Sequence, residues 1–240
     1  MTARGSGHRT PLTDPLLSVV MPVFNEQQTV AEMVRRVLAV PLRVELIVVD
    51  DASTDGSRER LEALASELEF RLVLQPRNRG KGAALRRGFE EVTGDLVVIQ
   101  DADLEYSPEE FPALVSLICE GRADVVYGSR FLGRHRVFLF THYLGNRLLS
   151  LVTNVMYNTM LTDMETCYKV MRVEVLRSMR LRSNGFGIEP ELTAKIFKRG
   201  YRVYEVPITY DGRGYDEGKK IGWRDGVVAL WTLVRYRFSE

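Results

Sequence analysis

Cysteine is scarce in this chain: Cys119 and Cys167 are its whole complement. Two are too few for a disulfide framework or a zinc cluster, so reduced thiols in a cytosolic chain are expected. Long apolar runs are also missing. None reaches the roughly 18 uninterrupted residues of a membrane-spanning helix. No charge sign dominates, since 33 Lys and Arg stand against 32 Asp and Glu. The resulting net charge of +1 gives no global field that argues for nucleic acid. There is no internal repeat and no Walker-type Gly-Lys-Ser/Thr. Residues 1–14 are polar and lack the apolar core of a signal peptide, so they read as a disordered tail.

What is present is an alternation of two patterns. Leu17–Val23, Val44–Val49, Phe70–Leu74, Leu96–Ile99, Ala123–Gly128 and Tyr201–Ile208 read as strands. Helical spacing runs from Glu26 to Leu38, through Leu61, Leu64, Ala65 and Leu68, from the turn at Asn78–Gly82 to Phe89, and onward from Ser107-Pro108. Such alternation predicts an α/β fold of right-handed βαβ units around a mostly parallel, Rossmann-like sheet flanked by helices. The expected division is a tail at 1–14, one domain at 15–221 and a C-terminal amphipathic helix at 222–240.

The fourth strand ends in Asp101-Ala102-Asp103. In extended backbone, residues i and i+2 point to one side, so both carboxylates can aim at one point. Like charges aimed together repel, and a positive ion belongs between them. Mg2+ or Mn2+ is the simplest choice, because hard ions bind through a few carboxylates and substrate phosphates. An Asp-x-Asp alone is more often two solvated acids in a turn. Here a second acidic pair, Asp50 and Asp51, ends another strand on the same rim. Ligands of open α/β sheets bind outside the carboxyl ends of the strands, which favours a site. Asp50 and Asp51 either cap the next turn or accept from the ring N–H of a uracil or guanine.

Gly80-Lys81-Gly82 sits between a strand and a helix but lacks the third glycine of a dinucleotide fingerprint. It reads as a tight turn that lets the backbone approach a ligand.

Taken in order, Ser18–Glu26, Val48–Gly56, Asn78–Gly82, Gly94-Asp95, Asp101–Glu105 and Gly128–Arg130 resemble the inverting family 2 glycosyltransferases of the GT-A fold. The dolichyl- and polyprenyl-phosphate hexose synthases are the most similar group, and the match runs from Leu17 to about Asp225. The resemblance implies that Pro22, Phe24, Glu26, Val49 and one or both of Asp50 and Asp51 surround a nucleoside. It implies that Asp101, Ala102 and Asp103, with Lys81, serve the diphosphate and metal of a nucleotide sugar. The third metal-side position, often Gln in the mannose synthases, is Glu105 here. Arg130 fits the family's arginine near the transferred or accepting phosphate.

The second half carries less obvious chemistry. Val137–Leu161 is too polar to span a bilayer, and as a helix it is amphipathic. It reads either as a core-packing helix or as an interfacial one. A polyprenyl-phosphate acceptor favours the second reading and makes Arg147 and Ser150 candidates for the acceptor phosphate. His135 and His142 read as structural or solvated. Asp163 lies in a segment that the family holds beneath the acceptor, and Glu189 and Glu191 are either sugar contacts or first-turn acids. Arg213–Ile221 matches a basic loop that closes over the donor diphosphate, with Arg213 and Lys220 as its cations. Gly222–Glu240 reads as a terminal amphipathic helix that docks on the domain or sits on lipid.

The expected reaction is metal-dependent, inverting transfer of a hexosyl group from a nucleotide-diphosphate sugar to polyprenyl phosphate, at the cytoplasmic face of a membrane. A UDP-hexose is favoured because Glu105 and Thr166-Cys167 depart from the mannose-synthase pattern, and GDP-mannose remains open. Asp101 and Asp103 hold the metal, and Arg130 orients the acceptor phosphate. A rival uses a soluble hydroxyl acceptor and needs a base, for which Asp163 is the candidate. A rival of another class is a nucleotide-sugar-binding protein without turnover. A homodimer or a membrane-anchoring partner is compatible with the exposed aromatic helices.

Overall fold

A computed structural model describes residues 9–136, 140–212 and 223–239. Its strands are β1 (Leu17–Val23), β2 (Val44–Asp50), β3 (Arg71–Leu74), β4 (Leu96–Ile99), β5 (Val125–Ser129), β6 (Lys169–Arg172) and β7 (Val203–Pro207). The helices are α1 (Val30–Leu38), α2 (Ser57–Glu67), α3 (Lys81–Phe89), α4 (Phe111–Cys119), α5 (Phe140–Tyr157), α6 (Val173–Arg177), α7 (Ile188–Lys198) and α8 (Trp223–Phe238). A 3-10 turn at Pro108–Glu110 leads into α4.

The strands form one sheet in the order β3-β2-β1-β4-β6-β5-β7. Its core is made by Val, Ile and Leu runs that are buried on both faces, as in Val19-Val20-Met21 and Leu96–Ile99. Pairing is parallel from β3 to β4 and between β5 and β7. The mostly parallel α/β sheet read from the alternation is therefore present. β6 is the exception, running antiparallel to both β4 and β5.

β6 escapes the sequence pattern because cations bracket it. Lys169 is fully buried, with its ammonium on Glu189 at 2.6 Å. Arg172 is buried and donates to the carbonyls of Thr10 and Ile118. A strand with such ends does not read as an apolar run. α1 also begins later than its spacing predicts. Asn25 and Glu26 are tied by their backbone N–H groups to the hydroxyls of Ser53 and Ser57, which holds residues 25–29 out of the helix.

β2 and β3 lie on one side of β1, and β4 lies on the other. The chain reverses its travel across the sheet at this point, so a ligand crevice opens beyond the C-terminal ends of β1 and β4. α8 packs on α7 and α5, and the Tyr157 hydroxyl donates to the Leu233 carbonyl at 2.8 Å. Among the described residues, no helix is long and apolar enough to cross a membrane.

Candidate active site

A cavity of about 730 Å³ fills that crevice. One end is lined by Pro22, Phe24 and Glu26 from the end of β1, Asp51 beyond β2, and Gly80 and Lys81 at the start of α3. The middle holds Asp101, Ala102, Asp103 and Glu105 beyond β4. Glu189 stands 3.5 Å from Lys81, and the far end is closed by Arg130 and Glu165, and by Thr141, His142, Gly145, Asn146 and Leu149 of α5.

The two acids after β2 separate because successive residues point to opposite faces. Asp50 is fully buried and paired with Arg58, whose Nε lies 2.7 Å from it. Asp51 reaches the cavity. Its carboxylate accepts from Gln75 Nε2 at 2.8 Å and from the backbone N–H groups of Arg79 and Gly80 at 2.9 and 2.7 Å. Asp51 thereby fixes the glycine turn that presents Lys81. Val49 is buried in the sheet and, like Asp50, is not part of the cavity wall.

Lys81 sits between Asp101 and Glu189, at 2.8 and 3.5 Å. Burial alone would lower its pKa, but the carboxylates, Asp101 foremost, outweigh that and hold it well above the usual lysine range. Asp103 Oδ1 accepts from the Glu105 backbone N–H at 3.1 Å, and Glu105 Oε2 accepts from the Tyr210 hydroxyl at 2.7 Å. Burial and the Glu105 charge push the Tyr210 phenol up, which keeps it a donor.

Arg130 and Asp163 form a buried bidentate pair, with Nε and Nη2 at 2.7 and 2.8 Å from the two carboxylate oxygens. Asp163 is wholly buried and does not line the cavity, whereas Arg130 does. Arg147 and Ser150 are not on the cavity wall either. The stripe of α5 that faces the cavity carries residues 141–142, 145–146 and 149, one helical turn apart, and Arg147 lies off it. Arg147 is exposed near the Phe131 ring, and the buried Ser150 hydroxyl accepts from the Met164 backbone N–H. Arg213 and Lys220 lie outside the described residues.

The wall also carries residues with chemistry outside the sequence-based candidates, among them Cys167, a free buried thiol, and Glu165. Glu165 stands two residues beyond Asp163. Burial pushes its carboxyl up to about 7, against the opposing pull of Lys169. The only sequence signal for it was its place in the segment already singled out.

Can these residues hold a divalent ion? Among the described residues, no group of three acids or other ligands gathers closely enough to do so alone, and Glu105 is turned toward Tyr210. Mg2+ commonly takes one or two carboxylates and completes its shell with substrate phosphates. Asp101 and Asp103 meet that requirement. Among the described residues, the cavity wall has eight acids (Glu26, Asp51, Asp101, Asp103, Glu105, Glu165, Glu189, Asp225) against Lys81 and Arg130. A diphosphate entering such a wall needs an added cation, so the donor set fits.

The chain belongs to glycosyl transferase family 2, whose family model matches residues 18–180. It is 31% identical over 234 residues to the low-salt glycan biosynthesis hexosyltransferase Agl6 of Haloferax volcanii, covering 94% of this chain and 55% of that protein. It is 30% identical to a dolichol-phosphate mannosyltransferase of Pyrococcus furiosus, covering 86% of this chain and 59% of that one. The chain thus spans somewhat over half the length of these curated relatives. The structure is similar to that of glucosyl-3-phosphoglycerate synthase from Mycobacterium tuberculosis in complex with Mn2+, UDP and glucosyl-3-phosphoglycerate. That match has a TM-score of 0.72 and 25% identity, and covers 96% of this chain and 86% of the other.

Proposed function

We propose that this protein transfers a hexosyl group, with inversion, from a nucleotide-diphosphate sugar to a polyprenyl phosphate. The observation that carries the reading is the position of Asp101 and Asp103. They stand beyond β4 at the switch point of the sheet, in a cavity whose acid surplus calls for a metal–diphosphate ligand. The relative named for dolichol phosphate supports the lipid acceptor. The UDP and Mn2+ in the structural neighbour support a UDP-linked hexose, with GDP-mannose as the second donor to test.

A divalent ion held by Asp101 and Asp103 would supply charge stabilisation to the departing diphosphate. The chain's own residues do the rest. Asp51 holds the turn that aims Lys81, and Lys81 brings a permanent cation to the diphosphate side. Arg130, braced by Asp163, presents positive charge at the far end where an acceptor phosphate enters. A phosphate oxygen is already anionic at neutral pH, so no strong base is required. The outward apolar residues on α5 and α8, two helices that border the cavity, support an acceptor met at a bilayer surface.

The test is transfer of label from UDP-glucose, UDP-N-acetylhexosamine or GDP-mannose into organic solvent, with Mg2+ or Mn2+, with and without polyprenyl phosphate. Lipid-dependent label supports the proposal. Release of nucleoside diphosphate without it means a soluble acceptor. Asp103→Asn should lose most turnover while keeping its unfolding midpoint, and equal activity at saturating metal would remove Asp103 from this role.

A further inference from the structure

Among the described residues, the cations nearest Glu165 at the far end of the cavity are already paired with other carboxylates. Lys169 from β6 is paired with Glu189 of α7 at 2.6 Å and also donates to the Thr166 carbonyl. Arg130 at the end of β5 grips Asp163 with two hydrogen bonds. Those four groups are paired with one another, Lys81 adding a second contact to Glu189 at 3.5 Å, and the same four act electrostatically on Glu165. Ionised, Glu165 would be a third negative charge set against two satisfied cations. Its Oε1 is buried and accepts no hydrogen bond, although the residue lines the cavity. From α5, the His142 imidazole lines the same cavity and is the side chain to control for.

We propose that Glu165 binds the phosphate monoester of the acceptor as a neutral carboxylic acid, donating its O–H to a phosphate oxygen. This rests on the polyprenyl-phosphate reading above. A neutral acid is the form of glutamate that can donate a hydrogen bond, whereas a carboxylate only accepts and would repel the incoming dianion. Burial and the two ion pairs supply the reason for the neutral form. In the transfer, another phosphate oxygen forms the bond to the sugar C1 while the C1–O bond to the diphosphate breaks. The electron pair leaves with the diphosphate, and the proton stays on Glu165. Affinity for the acceptor should therefore fall as pH rises through the Glu165 titration, opposite in sign to what the phosphate's own second ionisation would give.

The experiment is the acceptor KM for polyprenyl phosphate in detergent, from pH 6.5 to 8.5, for wild type, Glu165→Gln, Glu165→Ala and His142→Asn. Wild-type KM should rise about tenfold between pH 7 and 8.5, as expected for loss of a proton near pH 7. Glu165→Gln keeps a neutral donor, so its KM should stay close to the pH 7 wild-type value and lose the slope. Glu165→Ala should raise KM about tenfold or more at pH 6.5, the size of a lost hydrogen bond to a charged group, with a smaller change in kcat. His142→Asn should keep the wild-type slope. A slope retained in Glu165→Gln, a slope abolished by His142→Asn, or an unchanged KM in Glu165→Ala overturns the assignment of Glu165 alone. Wild-type protein that transfers nothing to polyprenyl phosphate overturns the acceptor reading, and this inference with it.

Discussion

Lys81 holds its ammonium 2.8 Å from both carboxylate oxygens of Asp101. On the proposed function, the lysine neutralises the same carboxylate that would hold a divalent ion. With its pKa held well above the ordinary value, it stays charged throughout the useful pH range. Lys81→Met should therefore act in opposite directions on two ligands. Affinity for UDP should fall about tenfold, since a charge-assisted contact is lost. Affinity for Mn2+ alone should rise, since Asp101 loses its competing cation. Calorimetric titration of each ligand separately reads both. A loss of Mn2+ affinity would mean that Lys81 positions Asp101 rather than competing at it.

The Arg130–Asp163 pair sets a different expectation. Both groups are buried, and the bond is bidentate. Removing one partner strands the other as an unpaired buried charge, which typically costs about 3–5 kcal/mol. Asp163→Asn should therefore lower the unfolding free energy by roughly that amount, measured by denaturant titration. Asp163 lies off the cavity wall, so its substitution should act through Arg130 and through stability. A variant with full stability and no turnover would restore Asp163 as a reacting group.

The sheet and half of the cavity were legible because the physics there is local. Buried strands read as Val and Ile runs, and acids at strand ends read as a rim. Asp51, Asp101 and Asp103 follow from such short patterns, Lys81 and Arg130 from the family resemblance, and all line the cavity. What could not be read depends on pairing across the chain. Asp50 and Asp51 are equivalent in sequence, and partners elsewhere in the chain separate them: Arg58 on α2 pairs with Asp50, while Gln75 and the Arg79–Gly80 backbone hold Asp51. Arg147 and Ser150 were chosen for their chemistry, but the rotation of α5 sets its cavity face. β6 is hidden because Lys169 is neutralised by Glu189, twenty residues away.

Gly80-Lys81-Gly82 shows the same distinction and yields a prediction. The turn reads as one that lets backbone approach a ligand, yet what approaches is this chain's own segment 183–185. A Cβ on Gly82 would meet the Ser183 carbonyl oxygen at 2.5 Å and the Gly185 oxygen at 2.9 Å. Gly80 adopts φ of +90°, and a Cβ there would meet the Asn184 oxygen at 2.6 Å. Gly82→Ala must push α3 away from that segment, at a cost of about 1–3 kcal/mol for overpacking. Because Lys81 lies between the two glycines, nucleotide affinity should fall together with stability. Thermal unfolding and UDP titration on the same sample check this. Wild-type stability in Gly82→Ala would mean that the 183–185 segment yields freely.

The outer face of α5 carries Leu144, Leu148, Leu151 and Val155, between 56% and 75% exposed and spaced at four, three and four residues. That spacing makes one stripe along the helix. α8, packed beside it, exposes Val227, Trp231 and Phe238. Apolar side chains left in water on two adjoining helices gain by entering a lipid interface, at about 1.5–3 kcal/mol for each fully transferred leucine. Leu148→Glu with Leu151→Glu replaces that gain with a desolvation cost. Binding to phosphatidylcholine–phosphatidylglycerol vesicles should fall at least about tenfold, judged from two lost leucines. The unfolding midpoint should stay near that of wild type, since neither leucine is buried. Co-sedimentation with vesicles measures the first and thermal unfolding the second. If vesicle binding is unchanged while sedimentation velocity moves from a larger species to monomer, the stripe meets a second copy of the chain instead of lipid.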